Sequence, residues 1–351
     1  MFETNPSISF IKEEVMRMKD IYFEKEYAQL YEKIENGICE EFVFKHPQGT
    51  IKHLFIKREI PIKLDGQVFY DLVTPYGYGG PRIVESRYED KVELVNAFEQ
   101  RFGEYCLENG IVSEFVRFHP IMRNHLDFSN CYELVFKRKT IQTRLDKIDN
   151  PILTEYSASS RRDIRHGLKA GVEYRVINHP KDLKNFKELY YSTMQRNAAE
   201  MIYYFDDAYF QRCIDKLGDY LVVVEVRFED KVIGMSLNFV YGDYIHVHLT
   251  GTRQEFHHFA PAYILQYALA LWGKEHGKKL IHHGGGRTGK VDDKLYLFKK
   301  KFGRNEDLAY YIGQKIWNQL VYERLCHAQN ISNDSDSFPA YRSMKSSIPI
   351  N

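Results

Sequence analysis

Two stretches of the chain share one plan of strands and turns, and this echo limits the folds that the chain can adopt. The first stretch covers residues 41–81 and the second covers residues 220–261. Each has three strand-like runs separated by short turns, such as Pro47-Gln48-Gly49 and Gly242-Asp243, and each ends in an aromatic loop closed by proline. Each stretch therefore predicts an antiparallel meander.

A helix and one further strand are predicted after each meander. Apolar residues recur at helical spacing over residues 91–108 and 262–275, and strand-like runs follow at 111–118 and 279–282. Because the two halves share little sequence identity, the echo is one of architecture. It predicts an α/β (α+β) protein of two tandem domains, each a mixed, mostly antiparallel sheet flanked by helices.

The segments between these units suggest the domain boundaries. The polar segment 137–150 predicts a crossover, and helices are predicted at 158–170 and 181–197. The first domain is expected to cover residues 1–153 with a returning helix at 312–328, and the second domain residues 154–311. Residues 330–351 are rich in Ser, Asn, Asp and Pro, which predicts a loose C-terminal tail.

Composition excludes several classes of protein. Lys and Arg number 49 against 48 Asp and Glu, so no global field recruits nucleic acid and any phosphate must be met by local patches. The five cysteines form no C-x-x-C pair, which is typical of reduced thiols in the cytoplasm. The sequence has neither a signal peptide nor an apolar run of about 20 residues. We expect a cytoplasmic protein without a transmembrane segment, and peripheral contact with a membrane stays open.

Residues 284–290 match the skeleton of a phosphate-binding loop, G-x-x-x-x-G-K. The next residue is Val291, which lacks the hydroxyl that ligates magnesium, and Asp292 and Asp293 place carboxylates where phosphates would sit. The motif therefore does not predict a nucleotide site. Gly284, Gly285 and Gly286 predict a turn after a strand, at which a ligand or a neighbouring chain can come close.

Three motifs in the second half occur in a recognisable order: "SSRRDIRHGLKAGV", "STMQRNAAEMIYYFDDAYF" and "HHGGGRTGKVDDKLYLFKKKFG". Over about residues 20–325 the chain resembles the FemABX-like aminoacyltransferases of the GNAT-like acyltransferase superfamily. The resemblance implies two GNAT-like domains and transfer of an acyl or aminoacyl group to an amine of a cell-envelope precursor, in a cleft bordered by Gly284–Gly286. The chain departs from the family at "TPYGYGGP", where an Arg-Gly-Pro loop is usual, and at His119, where an acid is usual.

The resemblance makes Lys299, beside Phe298, the first candidate for a catalytic residue. A positive charge at this position would stabilise the oxyanion of a tetrahedral intermediate. The alternative is a solvated basic run, Lys299–Lys301. His119 is a candidate general base, against the alternative of a buried histidine with a structural role.

The remaining candidates would bind substrate. Arg196 would clamp a diphosphate or a carboxylate, or else interact with a helix C-terminus. Arg161 and Arg165 share a helix face with Lys169, with Arg162 beside them, and this basic stripe would follow a phosphate backbone or simply face solvent. Tyr76 and Tyr78 would stack on a sugar, or else pack as an aromatic corner.

No bound cofactor is predicted, and the acyl donor is a co-substrate, either aminoacyl-tRNA or acyl-CoA. The segment "TRQEFHHFAP" lacks the glycines that would let a pyrophosphate approach, and local basic residues favour a phosphate-rich donor: Lys290, Lys294, Lys299–Lys301 and Arg304. No covalent acyl-enzyme is expected.

The acceptor is expected to be a nucleotide-sugar or lipid-linked envelope precursor. No metal site is expected, because histidines such as His246 and His248 have no carboxylate or cysteine at ligand spacing. The alternative function is a non-catalytic relative of the same fold that binds a sugar or a protein partner.

Overall fold

The computed structural model describes residues 19–146, 148–331 and 337–343, and the chain divides into two compact units. The first unit contains residues 31–136 and the chain from residue 311 onward. The second contains residues 19–30 and 137–310. The second unit thus begins at residue 137 rather than at the expected residue 154, because the predicted crossover is part of a strand, Glu133–Arg144, that pairs within the second unit.

The sheet of the first unit follows the predicted meander, helix and strand. Its strand order is β1-β2-β3-β5-β12, and β4 pairs with β2. The strands β3 and β5 are parallel, and the other pairs are antiparallel. The elements are α2 (Glu32–Glu35), β1 (Gly37–His46), β2 (Gly49–Glu59), β3 (Tyr70–Val73), β4 (Arg82–Ser86), α3 (Val92–Glu108), β5 (Ile111–Arg117), β12 (Asp307–Ile316) and α10 (Gln319–Ala328).

The second unit repeats this arrangement. Its strand order is β6-β11-β10-β9-β8-β7, in which β10 and β11 are parallel and the other pairs are antiparallel. Its helices are α1 (Lys25–Gln29), α4 (Pro151–Glu155), α5 (Ala158–Lys169), α6 (Lys184–Arg196), α7 (Asp207–Leu217), α8 (Pro261–Glu275) and α9 (Lys294–Lys300). Its strands are β6 (Glu133–Arg144), β7 (Val172–Asn178), β8 (Leu221–Phe228), β9 (Lys231–Tyr241), β10 (Tyr244–Thr252) and β11 (Leu280–Gly285).

The echo in the sequence is confirmed in both units. Each meander is followed by a helix and then by a strand that pairs in parallel with the last strand of the meander. Helix α3 buries Leu94, Phe98 and Phe102 in the core of the first unit, because these residues lie three or four apart on one helix face. Helix α8 buries Leu265 and Leu269, four residues apart, in the core of the second unit in the same way.

Two predictions at the end of the chain are wrong in part. The expected helix at 312–328 is strand β12 up to Ile316 and helix α10 only from Gln319. The predicted loose tail contains a short turn, Ala340–Arg342, in which Ala340 and Tyr341 are buried. The Arg342 guanidinium forms an ion pair with the buried Asp71 carboxylate, which explains why a polar segment packs there. Residues 332–336 and 344–351 of the predicted tail lie outside the described residues.

Candidate active site

The three glycines at the end of β11 form the turn that the sequence predicts. The pairing of β11 with β6 shifts register between His282 and Gly284, and Gly284 has a φ of 70°, which a side chain would disfavour. At Gly285 a Cβ atom would lie 2.8 Å from the Lys139 carbonyl oxygen of β6. The backbone therefore leaves the sheet at this point in a path that requires glycine.

The carboxylate of Asp293 occupies the centre of the loop that follows. Its Oδ2 accepts hydrogen bonds from the backbone N–H groups of Arg287 (2.9 Å) and Thr288 (2.8 Å), and its Oδ1 accepts one from the N–H of Tyr296 (2.8 Å). Burial alone would raise the pKa of this carboxyl, but these N–H groups and the Thr288 hydroxyl lower it to about 2. A Cβ atom at Gly286 would lie 2.5 Å from Oδ1, so Gly286 makes room for the carboxylate. The glycine-rich loop thus surrounds a carboxylate of the chain itself.

Asp293 also fixes the position of Lys299. Because Asp293 is the N-cap of α9, the loop and the helix share one anchor. From α9, the half-buried Lys299 donates a hydrogen bond from Nζ to the Gly285 carbonyl (2.8 Å). Burial, with a smaller contribution from the nearby charge of Arg138, lowers the pKa of Lys299 to about 8, and the charge of Asp293 opposes this change. At neutral pH the ammonium is largely protonated and lies beside the glycine turn.

Arg138 on β6 is a site residue that the sequence did not suggest. Its guanidinium donates hydrogen bonds from Nη1 to the carbonyl oxygens of Gly286 and Arg287, the latter at 2.9 Å. Three consecutive carbonyls, from residues 285 to 287, are therefore bonded to the cations of Lys299 and Arg138. Only the pairing of β6 with β11 brings Arg138 to this loop, and a single sequence does not reveal that pairing.

Phe298 attaches α9 to α8. Its ring lies 5.3 Å from that of Tyr263 and 5.2 Å from that of Phe302, both in edge-to-face geometry. Lys301, also near Tyr263, donates a hydrogen bond from Nζ to the Tyr263 hydroxyl (2.8 Å). The structure thus brings Gly284–Gly286, Phe298 and Lys299 together, as predicted, and gives Phe298 a packing role.

The buried His283 lies on β11 next to this group. Thr143 donates its hydroxyl proton to the Phe302 carbonyl (2.6 Å), so it accepts from the His283 Nε2–H at 2.7 Å. Burial lowers the pKa of His283 to about 3, and the charge of Lys299 contributes. This imidazole is therefore neutral at physiological pH and adds no positive charge beside Lys299.

Arg196, a predicted substrate clamp, is hydrogen-bonded within the second unit. Its guanidinium donates to the carbonyl oxygen of Thr252 (2.9 Å) and to the Thr252 hydroxyl (3.3 Å). Thr193, one turn earlier on α6, accepts from the Thr252 N–H (2.9 Å). The T-x-x-R motif therefore fastens α6 to the end of β10, and a substrate contact by Arg196 stays a prediction.

The predicted basic stripe on α5 divides into two kinds of residue. Arg161 donates to the carbonyls of Leu153 (3.1 Å) and Tyr156 (2.6 Å), which is a structural role. Arg162 and Arg165 are exposed, and their contact with phosphate stays a prediction. Ser157 caps the helix by accepting a hydrogen bond from the Ser160 N–H.

The candidates Tyr76, Tyr78 and His119 lie in the first unit. Tyr76 stacks on Tyr31, and Tyr78 packs against His119 with ring centroids 5.6 Å apart. The fully buried His119 accepts the backbone N–H of Met122 at Nδ1 (3.2 Å), so the neutral ring carries its proton on Nε2. This arrangement disfavours the predicted role as a general base, because the lone pair of Nδ1 is already used.

The histidines considered as metal ligands also bond to protein groups. His246 lies 2.8 Å from an Asp20 carboxylate oxygen, and His248 lies 2.7 Å from the Tyr209 hydroxyl. Burial lowers the pKa of His248 to about 3. The expectation that the protein has no metal site stays a prediction.

The comparisons with known proteins agree with this geometry. Residues 155–293 match the model of the acetyltransferase (GNAT) domain. A crystal structure of FemX superposes with a TM-score of 0.66 at 17% sequence identity, covering 92% of this chain and 98% of FemX. The UDP-N-acetylmuramoylpentapeptide-lysine N(6)-alanyltransferase of Weissella viridescens is 25% identical over 197 residues. Residues 155–293 are thus similar to GNAT acetyltransferase domains, and the chain shares the fold of FemX.

The matches cover different shares of this chain and of the related proteins. The matched region covers 53% of this chain and 57% of the Weissella viridescens enzyme, so the chain spans little more than half the length of that relative. The C-terminal domain of a putative lysylphosphatidylglycerol synthetase from Agrobacterium fabrum has the same fold. Its TM-score is 0.53 at 12% identity, and the match covers 90% of this chain and 93% of that domain. Among the helices that the structure describes, none has the length and apolar character needed to cross a bilayer.

Proposed function

We propose that the chain is an N-acyltransferase that moves an aminoacyl group from aminoacyl-tRNA to an amine of a peptidoglycan precursor. The observation that carries the proposal is the ammonium of Lys299, held beside the glycine turn at the end of β11. Its hydrogen bond to the Gly285 carbonyl uses one of three N–H donors, so donors remain for a substrate oxygen. The related enzyme of Weissella viridescens, by its name, transfers alanine to the lysine amine of such a precursor.

In the proposed reaction the acceptor amine attacks the ester carbonyl of the donor. The new C–N bond forms as the carbonyl becomes a tetrahedral oxyanion, which Lys299 stabilises by its charge. The intermediate then collapses, the ester C–O bond breaks, and the ribose hydroxyl of the tRNA leaves with a proton. Because Asp293 and Arg138 fix the turn and the helix, Lys299 needs little reorganisation during the reaction.

Transfer without an acyl-enzyme is supported by the state of the cysteines. All five are buried. Burial raises the pKa of Cys131 and of Cys213 to about 12, and it raises the pKa of Cys106 and Cys326 as well. Since the thiolate is the nucleophilic form, these thiols are poor candidates for a covalent intermediate.

The start of α8 supports tRNA over acyl-CoA as the donor. A pyrophosphate at a helix N-terminus requires free backbone N–H groups. Here the helix begins with Pro261, which has no N–H, and the N–H groups of Tyr263 and Ile264 donate to the Ala260 carbonyl. Gly167 of α5 also packs closely on the preceding turn, since a Cβ atom there would lie 2.4 Å from the Phe259 carbonyl oxygen. An aminoacyl-tRNA donor would locate the reaction in the cytoplasm.

The proposal is tested with purified protein, radiolabelled alanyl-tRNA and a UDP-linked muramoyl pentapeptide. We expect a labelled product, and replacement of Lys299 by Met should lower kcat by roughly a hundredfold to a thousandfold, the usual loss for one oxyanion donor. Lys184→Met, which removes an exposed cation from α6, is the matched control and should keep kcat within about twofold. Acetyl-CoA replaces the tRNA in a parallel reaction. Transfer from acetyl-CoA alone, or unchanged kcat in Lys299→Met, would contradict the proposal.

A further inference from the structure

The loop and helix around Asp293 present a surface that the proposed reaction does not use. We call it the basic-apolar surface. Val291, at the tip of the loop, is 84% exposed, and Leu297 is 48% exposed. The exposed basic residues of the surface are Lys137, Arg287, Lys290 and Lys294.

These residues are close together because the loop packs on β6. A Cβ atom at Gly289 would lie 2.5 Å from the Lys137 carbonyl oxygen, and Arg138 donates to the Arg287 carbonyl. Lys294 and Leu297 lie one turn apart on α9, so they point in similar directions. The surface therefore combines residues of β6, the loop and α9 within one unit.

Val291 is held in solvent by the structure of the loop. The Asp293 carboxylate accepts the N–H groups of Arg287 and Thr288, and the Asp293 N–H donates to the Lys290 carbonyl (3.3 Å). The ends of the short segment from 287 to 293 are thus joined, with the exposed Val291 at its tip. An aliphatic side chain fixed in water at a loop tip is suited to an apolar environment supplied by a partner.

The charge of the surface identifies the partner. Its four basic side chains face one exposed acid, Asp292, since the Asp293 carboxylate is already bonded to backbone N–H groups. Because the whole chain has a net charge of +1, this positive charge is a local feature. Basic side chains around an aliphatic tip complement the headgroups and the acyl-chain boundary of an anionic bilayer. A nucleic acid would match the charge, but Val291 and Leu297 offer no aromatic face for stacking on a base.

We propose that the basic-apolar surface docks on a bilayer containing anionic phospholipid. Val291 and Leu297 enter the boundary between headgroups and acyl chains, and the basic residues contact the phosphates. Since Leu297 precedes Phe298 and Lys299 on α9, docking brings the candidate active site close to the membrane surface. A lipid-linked substrate would then reach the site without leaving the bilayer.

The test measures binding of the full chain to vesicles by cosedimentation, with no acyl donor or acceptor present, so it is independent of the proposed reaction. One set of vesicles is phosphatidylcholine, and the other adds phosphatidylglycerol. We expect binding to the anionic vesicles only, decreasing with salt. The double variant Lys290→Gln/Lys294→Gln should weaken binding about thirtyfold, and Val291→Ser about fivefold.

Met201→Ser is the matched control, because Met201 is 80% exposed and lies outside the basic-apolar surface. It should leave vesicle binding unchanged. Thermal unfolding of each variant checks that the fold is retained. The proposal is overturned by equal binding to both kinds of vesicle, or by unchanged binding in the double variant and in Val291→Ser. It is also overturned if the double variant loses affinity for tRNA while vesicle binding is unchanged, since the surface would then recognise nucleic acid.

Discussion

Replacing Lys299 by Met should make the protein more stable at neutral pH while it removes the proposed activity. Burial lowers the pKa of Lys299 from 10.5 to about 8, with Arg138 contributing and Asp293 opposing. Below about pH 8 the ammonium is charged in both the folded and the unfolded chain, so the folded state carries the full cost of holding that charge. Met fills a similar volume and has no charge to desolvate.

The magnitude follows from the two pKa values. A change from 10.5 to about 8 corresponds to about 3 kcal/mol of free energy of unfolding. The variant also loses the hydrogen bond from the ammonium to the Gly285 carbonyl, which is worth about 1–2 kcal/mol. We therefore expect Lys299→Met to unfold with a free energy about 2 kcal/mol higher than the wild type at neutral pH.

The same pKa values predict how the stability difference between Lys299→Met and the wild type changes with pH. Between about pH 8 and pH 10.5 the unfolded chain binds more protons at this residue than the folded chain does, so the wild type gains stability as pH rises. The advantage of Lys299→Met should therefore shrink across that range. Urea denaturation of the wild type, Lys299→Met and the exposed control Lys294→Met, at neutral pH and at about pH 10, measures both effects. A Lys299→Met protein less stable than the wild type at neutral pH would refute the reasoning.

Three further predictions concern the groups around Lys299. Arg138→Gln keeps a hydrogen-bond donor but removes a positive charge, so the pKa of Lys299 should rise and the loss of activity at alkaline pH should move to higher pH in a pH–rate profile. Asp293→Ala removes the N-cap of α9 and should lower the free energy of unfolding by about 1–2 kcal/mol. Because the folded-state pKa of Asp293 is about 2 against an ordinary 3.8, this loss should be full above about pH 4 and vanish as pH falls through 2. Gly286→Ala places a Cβ atom 2.5 Å from the Asp293 carboxylate and should lower the free energy of unfolding by about 1–3 kcal/mol in denaturation. Gly218→Ala is the control, because a Cβ atom there would meet nothing within 4 Å and the backbone is not in the left-handed region.

Much of the fold could be predicted because its signals are local. The turns at Pro47-Gln48-Gly49 and Gly242-Asp243 and the apolar faces of α3 and α8 are properties of short segments, and they gave both meanders and their crossover helices. Strand β12 was missed because its residues show no strict alternation. Its place beside β5 depends on a close contact, in which a Cβ atom at Gly313 would lie 2.5 Å from the Phe118 ring. Local sequence patterns also do not reveal that Arg342 of the polar tail forms an ion pair with the buried Asp71.

In the candidate site, too, local motifs could be predicted from the sequence, whereas contacts between distant segments could not. Lys299 and Phe298 were suggested by a motif, and the unsuitability of residues 284–290 for a nucleotide followed from Asp292 and Asp293 in the sequence itself. Arg138 and His283 were not found, since their roles depend on strand pairing and on burial rather than on spacing. The sequence left open whether Arg196 and Arg161 contact a ligand, and in the structure their guanidinium groups bond to backbone carbonyls.

The carboxylate enclosed by the glycine loop also affects how phosphorylated substrates can move. Aminoacyl-tRNA and nucleotide-linked precursors carry many phosphates, and an open loop of this kind would compete for them with the productive binding site. Asp293 takes the N–H groups of Arg287 and Thr288, so an arriving phosphate meets a negative charge there instead of donors. In the proposed reaction, the backbone N–H groups of this loop are therefore not available to hold the phosphates of a substrate or a product.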